Sequence, residues 1–506
     1  MTEFGPFAAS KWLSLLLSFS FLWSFVDAGV ICNDYRALLT SPVHAWADDT
    51  IISFSNSTEF FGATDRWTIF RPPTYFAAIS PATEKDVKKA VKFATSCHIP
   101  FLATGNRHGY STTLGDLQNG LAIDLSGFKN IDIDVASETV TIGPGVTAGD
   151  IFDPLYEAGF ELQTGSASCP SLIGVMLGGG VGRFTGIHGL LLDALVSVRL
   201  VTSHGELIEV SKHSHPDLFW AIRGAGANFG VITSATFKLH RLRNNGDVLN
   251  ADLFFPAEKA SDYFRAVEAM NGKLPAELAS ISLIMWDSST NKTQVGANWV
   301  YLGPEDEGRE ALAPILALEP SRSEISVVKW NRLVATAGGG VEQQTCQDNV
   351  IRDLYSMNLK NYSASTYEAA FAKMADFFDK YPEGRSSILQ FEFFPNQAMA
   401  AVPSGETAWP WRDATGYINP NMIWAQADST TAEAAMRLGH ELREDLRATS
   451  GYPEPAVFVN YARGDETLEQ IYGKENLHRL ASLKKKWDPN NFFSFNHALP
   501  TEYPPV

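Results

Sequence analysis

Apolar positions recur every three to four residues through "TEKDVKKAVKFATSC", placing Val87, Ala90, Val91 and Ala94 on one face of a predicted helix. Thr83 caps it, with Asp86 three residues on reaching back. Strand-like runs follow: "IPFLAT", then a glycine–histidine turn, then "LAIDLS" and "TVTIGPG". "TAGDIFDPLYEAG" returns to the helical period, with Ala148, Ile151, Phe152 and Leu155 on one face and a stop at Gly159. This order predicts a mixed β-α-β domain and not an alternating doubly wound one. "LVSVRLVT" and "ELIEVS" flank Ser203-His204-Gly205, a hairpin signal. The polar "HRLRNNGDVLN" marks a boundary, after which "STYEAAFAKMADFFDKY" reads as helix and "SILQFEFFP" as strand. "NLHRLASLKKKWDPNNFFSFNHALP" predicts a helix stopped by Asp488-Pro489 and an extended tail, with "LKKKWDP" as a solvated helix end.

At 506 residues the chain is too long for one core, so two domains or more are expected. A net charge of −17 with no concentrated basic run argues against nucleic acid as a partner. Lys11 precedes an apolar run, Trp12 to Val26, and Val26 and Ala28 suit a signal peptidase, so residues 1–28 are expected to be a cleaved leader. The run is shorter than the ~18 residues of a membrane span and carries serines, so no membrane attachment is expected after cleavage. Sequons at Asn56, Asn291 and Asn361 agree with an exported glycoprotein. Four cysteines (Cys32, Cys97, Cys169 and Cys346) allow three full pairings that spacing alone does not separate.

Three glycine clusters carry the chemistry: "ATGNRHGYST", "LGGGVGRFTG" and "RGAGANFGVIT". Bare backbone N–H groups approach phosphate closely, and three such clusters within about 130 residues point to one large phosphate-bearing ligand. None has dinucleotide spacing, and no lysine-serine ending marks a nucleotide triphosphatase. His108, inside the first cluster, could be an idle loop residue, a metal ligand or a point of attachment. Metal ligation lacks partners, since His213 and His215 of "HSHPD" open a structural segment; no metal is expected.

With "GNRHGYS", "LGGGVGR", "HPDLFWAIRGAGANFGVIT", "FVNYARGD" and "DPNNFFSFNHALP" together, the chain resembles the berberine-bridge-enzyme-like branch of the vanillyl-alcohol-oxidase superfamily, in a fungal style. The resemblance implies an α+β fold. Its divisions would be an N-terminal arm (29–68), an FAD-binding domain of the PCMH type (69–244), a substrate domain of antiparallel sheet covered by helices (245–455), and a C-terminal segment (456–506) returning to the FAD domain. FAD would lie along Thr104, Gly105, Asn106, Arg107, Gly109 and Ser111. Gly165, Gly178, Gly179, Gly180 and Gly182 would contact it from the second cluster, and Gly226, Asn228, Gly230 and Ile232 from the third. Asn496 would donate to the pyrimidine edge of the flavin, and an imidazole nitrogen of His108 would be bonded to the flavin 8α-methyl carbon.

Some relatives add a cysteine thioether. Gapless alignment from Gly165 to Gly178 puts that position at Ala167, two residues before Cys169. Alignment on Cys169-Pro170 would restore the tether at the cost of a two-residue deletion. One covalent bond is the expectation, with Cys169 a small buried residue near the flavin. The resemblance also implies a Cys32–Cys97 disulfide, against two free thiols.

For the catalytic base the family points to Tyr461, on a strand facing the flavin, and to Tyr110; a phenol of pKa ~10 needs a neighbour's help near neutrality. Downstream of Arg412, where alkaloid-forming relatives hold a glutamate, this chain reads "DATGYINPNMIW". The implied activity is an FAD-linked oxidase, with hydride passing to flavin N5 and O₂ as reoxidant, acting on a secondary-metabolite intermediate. The alternatives are a secreted carbohydrate oxidase, expected to show a wide aromatic-lined groove, and a secreted protein that holds flavin without turnover.

Overall fold

The computed structural model describes residue 32, residues 34–340 and residues 342–504. The leader expected over 1–28 lies outside them. Among the described residues, no helix is long and apolar enough to cross a membrane.

The first sheet has the order Ile51–Phe54, Tyr75–Ser80, Gly120–Asp124, Phe101–Thr104, the last three parallel. Helix Glu84–Ser96 provides the crossover that parallel neighbours require. Thr83 Oγ1 accepts from Asp86 N at 3.2 Å and donates to the Asp86 carboxylate at 2.7 Å, and Val87, Ala90, Val91 and Ala94 are fully buried beneath the sheet. A second, five-stranded antiparallel sheet contains the hairpin Leu195–Val201/Leu207–Ser211, which turns at Gly205 with φ +73°.

The third sheet is antiparallel, and eight strands share it among the described residues. Its alternation separates two environments. On strand Ile388–Phe393, Leu389, Phe391 and Phe393 enter a core shared with helices Ala260–Ala269, Ala364–Lys380 and Ser429–Arg447. Ile388, Gln390 and Glu392 point the other way, into a cavity bounded by the first two sheets.

Two cysteine pairs fasten the chain. Cys32 bonds to Cys97, tying the N-terminal arm to the end of the first long helix. Cys169 is not the lone small residue anticipated near the flavin: it bonds to Cys346, 177 residues away. A sulfur so paired is unavailable for a thioether.

The "LKKKWDP" stretch also departs from expectation. Lys485 and Lys486 are solvated, but Lys484 is fully buried. Its Nζ donates to Asn228 O at 2.9 Å, Phe493 O at 2.8 Å and the Asp488 carboxylate at 2.8 Å. The chain after Pro489 folds back over what would be an exposed helix end, and Asp488 accepts from Phe492 N and Phe493 N. Removing one partner leaves a buried charge uncompensated, so Lys484→Met is expected to cost about 3–5 kcal/mol, measured as a lowered urea midpoint.

Candidate active site

Strand Phe101–Thr104 delivers the chain into the glycine–histidine turn under tight constraint. A Cβ on Gly105 would lie 2.2 Å from Pro144 O, so only glycine passes there. Arg107, at φ +55°, is pinned by its Nη1 to Asp124 at 2.7 Å and its Nε to Asp65 O at 2.8 Å. These anchors turn the next side chain, His108, into the cavity. Its ring stacks on Trp67 with centroids 4.3 Å apart, and its buried Nε2 has no hydrogen-bond partner. Burial, reinforced by the nearby Arg352 and Arg66 guanidinium groups, lowers its pKa to about 3. His108 is therefore a neutral imidazole with an unengaged nitrogen, the form in which it is a nucleophile.

The cavity measures about 600 Å³, within the range of small-molecule sites. Its walls fit a large polar cofactor such as FAD. In the same cavity as His108, the buried His497 Nε2 and Ser166 Oγ lack partners, and Gly165 presents backbone with nothing within 4 Å of a would-be Cβ.

At the other wall the Tyr461 hydroxyl donates to Glu392, 3.1 Å from each carboxylate oxygen, and Gln390 Nε2 donates to Oε1 at 2.8 Å. Glu392 is only 2% exposed, and burial pushes it up to about 7 against the pull of those two donors and of Arg183. Tyr461 lies well above the usual phenol range, through desolvation first and the Glu392 charge second. Desolvation likewise raises Tyr110.

Comparison with known proteins accords with this geometry. The model described as "FAD binding domain" matches residues 76–211, and "Berberine and berberine like" matches 457–500. FAD-linked oxidoreductase fogF of Aspergillus ruber is 47% identical over 95% of this chain and 97% of its own length. FAD-linked oxidoreductase srdI of Neurospora crassa is 43% identical over 97% and 99%. The chain belongs to the berberine-bridge-enzyme-like FAD-linked oxidoreductases.

Solved structures agree in fold. Berberine-bridge-enzyme-like 1 of Physcomitrella patens superposes with a TM-score of 0.79 at 22% identity, over 90% of this chain and 98% of that one. Glucooligosaccharide oxidase of Acremonium strictum gives 0.78 at 20%, over 90% and 97%.

In this FAD-linked oxidoreductase, most residues expected at the site do converge. The turn from Thr104 to Ser111 lines the cavity together with Gly165, Gly178, Gly226, Gly230, Ile232, Asn496 and Tyr461. Gly179, Gly180, Gly182 and Asn228 do not face it. Gly180, at φ +85°, and Gly182 are glycines because a Cβ would strike Leu191 Cβ at 2.4 Å and Thr164 O at 2.3 Å; Gly179 packs on Trp409. Asn228 is fully buried, donating to Tyr472 Oη and accepting from Leu499 N, so it holds the returning tail. Tyr461 ends a short 3₁₀ turn, Val459–Tyr461, and is not on a strand.

Glu392 escaped sequence reasoning, which sought a carboxylate after Arg412. Arg412 itself is structural, paired with Asp193 at 2.8 Å. The available signal was the alternation in "SILQFEFFP", but a polar face on a strand is read by default as solvated. The three sequon asparagines are all exposed.

Proposed function

We propose that this FAD-linked oxidoreductase is an oxidase of small secondary-metabolite intermediates, with FAD held by one covalent bond from His108 and no thioether. The observation that carries the reading is the hydrogen-bonded pair of Tyr461 and the buried Glu392 in the same cavity as the unengaged His108 nitrogen. FAD bound there would supply a ring able to accept a hydride from the substrate carbon. The protein's part is to remove the accompanying proton. As the carbon loses its hydride, the hydroxyl on it passes a proton to Tyr461 Oη while the phenol proton moves to Glu392. Neither step leaves a bare phenolate in the low-dielectric wall, which the raised phenol pKa disfavours. Reoxidation by O₂ would then release the two electrons, with the transferred hydrogen and the proton held at Glu392, as hydrogen peroxide.

The sheet wall supports a metabolite over a sugar. Beside the polar Asn298, Gln390, Asn419 and Asn421 it offers Leu283, Met285, Ile388 and Ile423, with Phe254 as its aromatic ring, rather than an aromatic-lined groove. The fungal relatives, two disulfides and exposed sequons support passage through an oxidising secretory compartment. We infer the same division as expected: an FAD domain over 69–244 completed by 456–506, and a substrate domain over 245–455.

Anaerobic mixing with a panel of primary and secondary alcohols tests the reading. Bleaching of the flavin absorbance, followed by peroxide on admission of air, is expected. A flavin that stays oxidised with every alcohol would overturn the reading.

A further inference from the structure

The reacting pair occupies only one end of the sheet wall. Strand register places Gln390 opposite Asn419 and Ile388 opposite Asn421, on strand Gly416–Ile423. Asn419 and Asn421 are two residues apart, so both face the cavity, about 7 Å from each other along the strand. Asn419 is 4% exposed, and the Oδ1 atoms of both asparagines are buried without a hydrogen-bond partner. Unpaired buried amide oxygens are costly, and two on one face of one strand mark a place where something else supplies the donors.

On the opposite side of Gln390, in the row of Leu283, the wall is apolar, while Asn298 and Asp252 line the cavity in the row that carries Glu392. Leu283 pairs with Gln390, and Gly296 lies next to Leu283 across the sheet. Gly296 carries no side chain, so Phe254 and Met285 meet over bare backbone; a Cβ there would be 3.4 Å and 3.2 Å from them. Molecules with hydroxyls on every edge would leave those over Leu283, Gly296 and Phe254 unpaired. One polar edge and one apolar edge match the wall.

We propose, resting on the oxidase reading above, that Asn419 and Asn421 form the specificity site of the enzyme. They accept hydrogen bonds from a second hydroxyl of an amphipathic alcohol. Its carbinol meets Tyr461 and Glu392, and its apolar body lies on Leu283, Met285 and Phe254.

The test uses the purified flavin-loaded enzyme and three probes: benzyl alcohol, 3-hydroxybenzyl alcohol and cellobiose. Affinity is read from perturbation of the flavin spectrum under conditions that do not need turnover, and oxidation is read separately as anaerobic bleaching. The hydroxylated probe is expected to bind about tenfold more tightly than benzyl alcohol, as one hydrogen bond of about 1.4 kcal/mol provides. Asn419→Ala and Asn421→Ala should collapse that ratio towards one. Asn421→Ser, which keeps an acceptor, should retain part of it. Because the ratio is taken within each variant, a general loss of folded protein cancels. Equal affinity for the two alcohols in the unmodified enzyme, an unchanged ratio in both alanine variants, or preference for cellobiose would overturn the assignment. Alcohols that bind with the expected ratio yet never bleach the flavin would overturn the oxidase reading and leave the specificity site standing.

Discussion

Glu392→Gln is expected to lower the rate of flavin reduction by about 10²–10⁴-fold with flavin content unchanged, because it removes the final proton acceptor and keeps the shape of the wall. The pH dependence separates this from a packing defect. Glu392 titrates near 7 in the folded protein, so reduction by substrate should rise as pH increases through about 7 and level off above it. Stopped-flow absorbance should find no such inflection in the variant. Stability moves in the opposite sense. The folded-state value lies above the 4.5 of an unperturbed glutamate, so folding is favoured by proton uptake at this site. That contribution, about 3 kcal/mol, is complete below pH 4.5 and is lost as pH rises through 7. Urea midpoints compared at pH 5 and pH 8 should therefore converge more closely in Glu392→Gln than in the parent. An unaltered pH profile would remove Glu392 from the mechanism.

His108→Ala is expected to turn covalent cofactor into exchangeable cofactor. Acid precipitation of the parent should leave the yellow chromophore with the protein pellet, and the same treatment of the variant should release all of it. Dialysis of the native variant should then strip flavin that the parent retains, with activity falling in proportion. Colour washing out of the parent pellet would disprove the bond. Digestion of the parent should give a flavin peptide containing His108 and lacking Cys169, whose sulfur is committed to Cys346.

How far the chain could be read in advance follows from which interactions are local. Helix Glu84–Ser96 was legible because its cap and its apolar face both lie within fifteen residues. The hairpin at Gly205 was legible because the turn and both strands are contiguous. The His108 turn stood out because glycine and histidine together in a strand-ending loop are chemically unusual. Three features were not legible, and each depends on distant chain. Lys484 is buried only because the tail returns over it, and nothing in "LKKKW" foretells that. Cys169 and Cys346 are 177 residues apart and meet only in the folded chain. Glu392 is distinguished from a solvated strand residue only by what faces it, including Tyr461 from 69 positions later.

The returning tail has a consequence in time. The ribosome makes the His108 turn early, yet the cavity beside it is closed by Phe493, Asn496 and His497, and Thr113 Oγ1 donates to Phe495 O and accepts from His497 N. Arg463 O likewise accepts from Thr112 N at 2.6 Å. Since synthesis runs from the N-terminus, these walls cannot be assembled until almost the whole polypeptide has emerged. A chain interrupted before Phe493 would therefore lack one wall of the cavity, however well the His108 turn itself had folded.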